Sequence, residues 1–208
     1  MKDSLYTLLY AVVLGLVCAT LLTGAARFVE PYYKANAEAE RMRNILNVLD
    51  VPYDPDAPSK ELVSVFRREV REEEVEGLER YTYVPSARGG AVAAVAVPFE
   101  GQGLWGPIKG FLALEPDLRT IRGVAFHKQE ETPGLGGEIV SEWFRGQFKG
   151  KRIVTAGGEV GIRIRGGGRA AENEVDAITG ATMTCRKVEA MINAAIETVS
   201  ARRKADGR

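Results

Sequence analysis

No charged residue occurs between Asp3 and Arg27. Residues 4–26, SLYTLLYAVVLGLVCATLLTGAA, form an uninterrupted apolar run of 23 residues. As a helix rising about 1.5 Å per residue, this run reaches across a hydrocarbon core of about 30 Å with some room for tilt. It constrains the chain more than any other feature, because it separates an anchor from whatever folds after it. Thr23-Gly24-Ala25-Ala26 resembles the cleavage site of a signal peptide. The run is longer than the usual signal core of about 7–15 residues, and it continues past Arg27 into a polar helical pattern. The reading is therefore an uncleaved single-pass helix. Lys2 on one side and Arg27 and Lys34 on the other barely separate the two orientations by charge. The short stub before the run favours an inside start, which puts the remainder outside. Cys18, in mid-span, reads as a small packing residue.

The expected divisions are residues 1–28 for stub and membrane helix, 29–60 for a helix and linker, and 61–208 for an extracytoplasmic domain. Pro31 to about Asp50 reads as helix, with Met42, Ile45, Val48 and Leu49 on one face. Val51 to Lys60, with three prolines, reads as a linker. The charged run from Arg67 to Glu74 reads as a solvated helix or strand face. Short apolar stretches at Ala91–Val97, Ile108–Leu114 and Thr120–His127 read as strands, with Glu115-Pro116-Asp117 turning between the last two. Ile139 to Phe148 reads as a helix with Ile139, Val140, Trp143, Phe144 and Phe148 on one face. Gly161–Arg165 alternates as a strand and enters a loop at Gly166-Gly167-Gly168. A last helix begins near Thr184. It carries Val188, Met191, Ile192, Ala195, Ile196 and Val199 as a stripe and ends in a basic tail, Arg202-Arg203-Lys204. Adjacent strands with segregated helices give an α+β class with a mostly antiparallel sheet and flanking helices. No G-x-G-x-x-G opens a βαβ unit, which argues against a dinucleotide-binding Rossmann domain.

Composition excludes several function classes. Basic and acidic residues balance at 28 each, which argues against a nucleic-acid partner. One histidine, His127, and two cysteines, Cys18 and Cys185, do not suffice for a histidine-based or cysteine-rich metal site. No catalytic constellation is evident. The informative stretch is Asp176-Ala177-Ile178-Thr179-Gly180-Ala181-Thr182-Met183-Thr184, a glycine-containing turn with hydroxyls feeding a helix start. First-turn amides lack internal partners and, with the helix dipole, favour an anion such as phosphate. Gly180 permits close approach or positive φ, and Thr184 is a candidate cap. Residue types alone favour the plainer reading of a capped turn, since Thr and Gly are common at helix starts.

Asp176-x-x-Thr179-Gly180-Ala181-Thr182 resembles the flavinylation motif of the FMN-binding-domain family. A second stretch extends the likeness: Gly103-Leu104-Trp105-Gly106 through Gly110–Glu115, then Glu131-Thr132-Pro133-Gly134-Leu135-Gly136-Gly137-Glu138-Ile139. Order and spacing are similar to the NqrC family, the C subunits of the sodium-translocating NADH:quinone reductases. They are less similar to the RnfG family, the G subunits of the Rnf complex. The likeness runs from about Leu5 to Val199. This chain is shorter than usual between anchor and sheet, with Thr179 where Ser is usual and Cys185 where a hydroxyl residue is usual.

The resemblance implies FMN joined by a phosphoester to Thr182, taken from FAD with release of AMP by a Mg²⁺-using flavin transferase outside the cytoplasm. Asp176 would belong to the motif that enzyme reads. Gly180 and the amides from Ala181 through Met183 to Thr184 would cradle the phosphate. Thr132, Leu135 and Gly136 would contact the isoalloxazine ring, with Leu104 and Trp105 over one face. Without the resemblance, these loops read as a strand-to-helix connection and as core beside a turn. The implied role is a relay of electrons in an inner-membrane NADH:quinone oxidoreductase. Other membrane subunits would supply substrate oxidation, since this chain has no complete active site for it. Tyr6, Tyr10 and Gly15 are candidates for contact with those subunits. The rival readings are an Rnf-type subunit in ferredoxin:NAD⁺ oxidoreduction, an anchored FMN-domain sensor, and a flavin-free structural protein.

Overall fold

The structure, a computed structural model, describes residues 2–75, 77–167 and 171–205. Gly168 of the expected glycine loop lies outside them, as do the side chains of Lys2, Arg202, Arg203 and Lys204. The chain divides into two compact units, Met1–Glu40 and Arg41–Arg208.

Helix α1 runs Lys2–Val48. The apolar run and the helix expected from Pro31 are one element, with Pro31 inside it. Within the first unit the large apolar side chains, from Leu5 and Tyr6 to Phe28 and Val29, are exposed. This helix is long and apolar enough to cross a membrane. Glu30 and Lys34, one turn apart, form an ion pair at 2.7 Å.

The second unit is built on a five-stranded antiparallel sheet in the order β1 (Val70–Val75), β2 (Leu78–Tyr83), β3 (Ala94–Gln102), β4 (Pro107–Leu114) and β5 (Ile121–Lys128). Every strand pairs with its neighbour in sequence, as short connections permit. The period-two alternation of the strands divides their side chains between two cores. One face carries bulky residues, Val97, Phe99, Ile108, Leu112, Val124 and Phe126, which pack with the last helix, α4 (Thr182–Ala205). The full stripe expected on α4, from Val188 to Val199, is buried there. The other face is lined largely by alanine: Ala94, Ala96, Ala113 and Ala125, with Tyr81 and Phe111. These small side chains leave room for the last turn of α1 (Ile45, Leu46, Val48), for Leu49 just after it, and for α2 (Ser59–Glu69; Leu62, Phe66). Each such Leu, Ile or Phe contributes about 1.5–3 kcal/mol by burial.

The charge-rich run is half helix and half strand. Arg67, Arg68 and Glu69 close α2, and Arg71–Glu74 lie in the edge strand β1. Charges on an edge strand discourage pairing with another sheet. The turn at Glu115–Asp117 is present: Asp117 accepts from the amides of Arg119 and Thr120 and from the Thr120 hydroxyl. These bonds outweigh burial and lower the Asp117 pKa.

The helix expected over Ile139–Phe148 is broken. A 3-10 turn covers Gly136–Val140. Ser141 then takes an extended conformation and caps α3 (Glu142–Gly146), its hydroxyl accepting from the Phe144 amide at 3.3 Å. The break interrupts the helical periodicity, so Ile139, Phe144 and Phe148 are buried while Val140 and Trp143 are exposed.

A short parallel pair, β6 (Arg163–Arg165) and β7 (Glu174–Asp176), leads into α4. Two α4 side chains four residues apart hold it. Asn193 exchanges bonds with the backbone of Ile162 at 2.7 and 2.9 Å, and Glu189 accepts from the Ile164 amide at 2.5 Å. The segment preceding α4 is thereby fixed to the helix it feeds.

Candidate functional site

Gly103–Gly106 form the tip of the β3–β4 hairpin, which closes with Gln102 opposite Pro107 and a 2.8 Å bond from the Gly103 amide to the Gly106 carbonyl. Leu104 and Trp105 stand out from this tip, Trp105 with 69% of its surface exposed. After β5, residues 131–136 form a second loop, pinned by Thr132, whose carbonyl accepts from the amides of Leu135 (3.1 Å) and Gly137 (2.9 Å). The third segment is the entry to α4. Gly180 has φ of 80°, the left-handed conformation that glycine adopts without strain. Thr182 is the first residue of the helix and is exposed with Thr179, Gly180 and Met183.

One carboxylate joins the three segments. Glu131 is only 5% exposed. Its Oε1 accepts from the amides of Leu104 (2.7 Å) and Trp105 (3.2 Å), and its Oε2 accepts from the Thr184 hydroxyl at 2.6 Å. Thr184 is therefore buried in the first turn, bonded to Glu131, and is not the helix cap. The glycines around this carboxylate are required by contact. A Cβ on Gly103 would lie 2.5 Å from Glu131 Oε1, and one on Gly136 would lie 2.5 Å from Thr184 Oγ1 and 2.7 Å from Glu131 Oε2. A Cβ on Gly180 would lie 2.9 Å from Leu135 Cδ2, so the second and third segments also touch there.

The expected site residues thus fall into two groups. Leu104, Trp105, Thr132, Leu135, Gly136, Gly180 and Thr184 lie on the three joined segments, with Thr182 and Met183 at the same helix start. Ala181 faces inward as part of the core. Asp176 sits apart at the end of β7, its amide donating to Gln147 Oε1 at 2.8 Å. Sequence reasoning passed over Glu131 as the residue that joins the site. The loop from Glu131 to Gly136 reads as a strand-to-helix connection in which Glu131 has no assigned role, although the Gln129 side chain accepts from the Glu131 amide at 2.7 Å. The available signal was the pair of glycines bracketing Leu104 and Trp105, which must accommodate something at close range: Glu131 at Gly103 and Glu130 at Gly106.

The surface round Thr182 is open. Leu104, Trp105, Leu135 and Met183 are large apolar side chains left in solvent. First-turn amides of α4 without intrahelical acceptors adjoin the Thr182 hydroxyl. A group with a phosphate and a flat apolar body fits this arrangement: the phosphate at the helix start and the body against the apolar side chains.

An open cavity of about 560 Å³, lined in part by Arg41, Glu79, Pro98, Lys109, Phe111 and His127, involves none of the expected flavin residues. His127 stacks on Phe111 at 4.9 Å, and its Nδ1 is buried with no hydrogen-bond partner among the described residues. Burial, then the Arg41 and Lys109 charges, lower its pKa. Behind Thr182, burial raises the pKa of the Cys185 thiol, whose sulfur accepts from the Ile178 amide at 3.4 Å.

The FMN-binding domain family matches residues 103–197, from the hairpin tip through most of α4. The C subunit of the Na⁺-translocating NADH-quinone reductase of Pasteurella multocida is 29% identical over 90% of this chain and 88% of its own length. The subunit of the same name from Neisseria meningitidis is 27% identical with the same coverage. Among solved structures, Shewanella oneidensis NqrC shares the fold, with a TM-score of 0.70 at 24% identity over 82% of this chain and 99% of that one. The C subunit from Parabacteroides distasonis gives 0.67 at 26% identity over 80% and 92%. In sequence and in fold, this chain resembles the C subunits of the Na⁺-translocating NADH-quinone reductases.

Proposed function

We propose that this chain is a membrane-anchored electron-transfer subunit of a Na⁺-translocating NADH-quinone reductase, carrying FMN in phosphoester linkage on Thr182. The observation that carries this reading is the exposed Thr182 at the start of a long helix, whose first turn one buried carboxylate joins to two loops. The names of the relatives favour this complex over an Rnf-type assembly.

The Thr182 hydroxyl is the acceptor. A flavin transferase delivers FMN from FAD, so that the Thr182 oxygen replaces AMP on the flavin-side phosphorus. The openness of the surface supports this step, because the modifying enzyme must reach Thr182 and the segment from Asp176 onward. The Ala181 amide is taken by the Ile178 carbonyl at 3.1 Å, so Gly180 and the amides of Thr182 to Thr184 hold the phosphate, whose charge the helix start favours. Leu104, Trp105, Thr132, Leu135, Gly136 and Met183 provide the apolar and backbone surface for the ring. FMN supplies the redox chemistry when attached, and the protein supplies attachment and orientation. Helix α1 spans the cytoplasmic membrane with its N-terminus inside and docks on other subunits, which exchange electrons with NADH and quinone.

The test is intact mass of the full chain produced with a flavin transferase, alongside Thr182→Ala. The expected result is a gain equal to one FMN less one water, absent in the variant. An unmodified wild-type chain, beside a control protein that the same transferase does modify, overturns the covalent reading. Modification that persists in Thr182→Ala overturns the assignment of the residue.

A further inference from the structure

We infer that Glu131 is the positioning residue of this site: its carboxylate fixes the Leu104–Trp105 tip against the first turn of α4, and so sets where the ring surface lies relative to Thr182. This rests on the flavin reading above for its consequence, but the clamp itself is a property of the polypeptide. Burying a carboxylate is unfavourable unless its oxygens are hydrogen-bonded. Here three donors from two distant segments converge on it: the amides of Leu104 and Trp105, 27 and 26 residues away in sequence, and the Thr184 hydroxyl, 53 residues away. These bonds leave the two amides at the hairpin tip no reason to seek water. Gly103 and Gly136 allow the carboxylate to approach so closely, and any side chain at either position would displace it. Neither Leu104 nor Trp105 is buried, so packing does little to hold the tip. The backbone is held by Glu131, and the side chains are left free to present a surface.

The chemistry separates geometry from charge. In Glu131→Gln the amide oxygen still accepts from Leu104 and Trp105. The amide NH₂ donates to Thr184, whose hydroxyl can accept as readily as it donates. Glu131→Ala removes all three bonds. Thr182 is untouched in both variants.

Two measurements on the full chain in detergent test the inference. In protein made without the transferase, hydrogen exchange at the Leu104 and Trp105 amides should accelerate about ten- to a hundredfold in Glu131→Ala. It should stay close to wild type in Glu131→Gln. In protein made with the transferase, all three forms should gain FMN mass. Flavin fluorescence, quenched by an adjacent tryptophan in wild type and Glu131→Gln, should rise in Glu131→Ala and in Trp105→Phe. Unchanged exchange at both amides in Glu131→Ala refutes the clamp. Altered exchange with unaltered flavin fluorescence refutes the positioning role and leaves the flavin assignment standing. If Glu131→Gln matches Glu131→Ala in both readouts, charge rather than bond geometry is responsible, which also refutes the inference. Absence of FMN from every form defeats the flavin reading, while the exchange measurement still decides the clamp.

Discussion

Gly180 is the position where backbone strain at the helix entry can be measured directly. Its φ of 80° lies in the left-handed region, which costs a residue with a Cβ roughly 1–2 kcal/mol. A Cβ would also lie 2.9 Å from Leu135 Cδ2, but that atom is the far end of a half-exposed side chain that can change rotamer. The strain should therefore dominate, and Gly180→Ala should destabilise the domain by about 1–2 kcal/mol. For a domain of this size, that lowers the thermal midpoint by about 2–8 °C. Asn tolerates this conformation better than Ala, so Gly180→Asn should cost less than half as much. The assay is thermal unfolding of the full chain in detergent, followed by near-ultraviolet circular dichroism, which reports tertiary packing rather than α1. The decisive control is Leu135→Ala, which removes the contact and leaves φ unchanged. If Gly180→Ala costs nothing in that background, the contact and not the backbone was responsible, and the reasoning fails.

Two further outcomes follow from titratable groups outside α1. His127 is held below its ordinary pKa of about 6.5 chiefly by burial. Its unfolded form therefore binds the proton more readily, and its contribution to stability is present above about pH 6.5 and lost as pH falls towards the folded value. The urea midpoint should fall between about pH 7.5 and about pH 5.5 by more in wild type than in His127→Phe, which keeps the stack on Phe111; equal falls would contradict this. The Cys185 thiol is buried and its pKa raised, so alkylation mapped by peptide mass should be at least about a hundredfold slower in the native chain than after unfolding. Fast native labelling would show that the helix entry opens freely.

The sequence was most legible where one residue type or one period dominated. The charge-free run before Arg27 and the stripe from Val188 to Val199 are single-period signals, and both correspond to the helices observed. Strands β4 and β5 and the turn at Asp117 were similarly plain. Strands β1 and β2 were not, because Arg71–Glu74 lie on a solvated edge where charge masks the alternation. The break at Ser141 was hidden because Ile139, Phe144 and Phe148 also satisfy a continuous helical face, and only the capping bond reveals the interruption. The β6–β7 pair depends on Glu189 and Asn193 of a later helix, a contact that no local pattern encodes. Glu131 was obscured for the same reason: its partners lie far along the chain, and adjacent Glu130 has the same side chain but is exposed.

These non-local contacts explain how a site can be open and still ordered. An exposed hairpin tip and an exposed helix entry would each move independently if side-chain burial were their only restraint, because their large side chains are in solvent. Instead the restraint acts on backbone and first-turn atoms. The Gly103 amide closes the tip, Glu131 accepts from the next two amides and from Thr184, and Asn193 and Glu189 hold β6, which pairs with the strand that enters the helix. Leu104, Trp105, Leu135 and Met183 then remain available as surface while the atoms beneath them are fixed. On the proposed flavin reading, the chain would first admit a modifying enzyme to Thr182 and afterwards hold the attached group in one orientation, which needs both properties. Enclosing the site would provide the second and prevent the first.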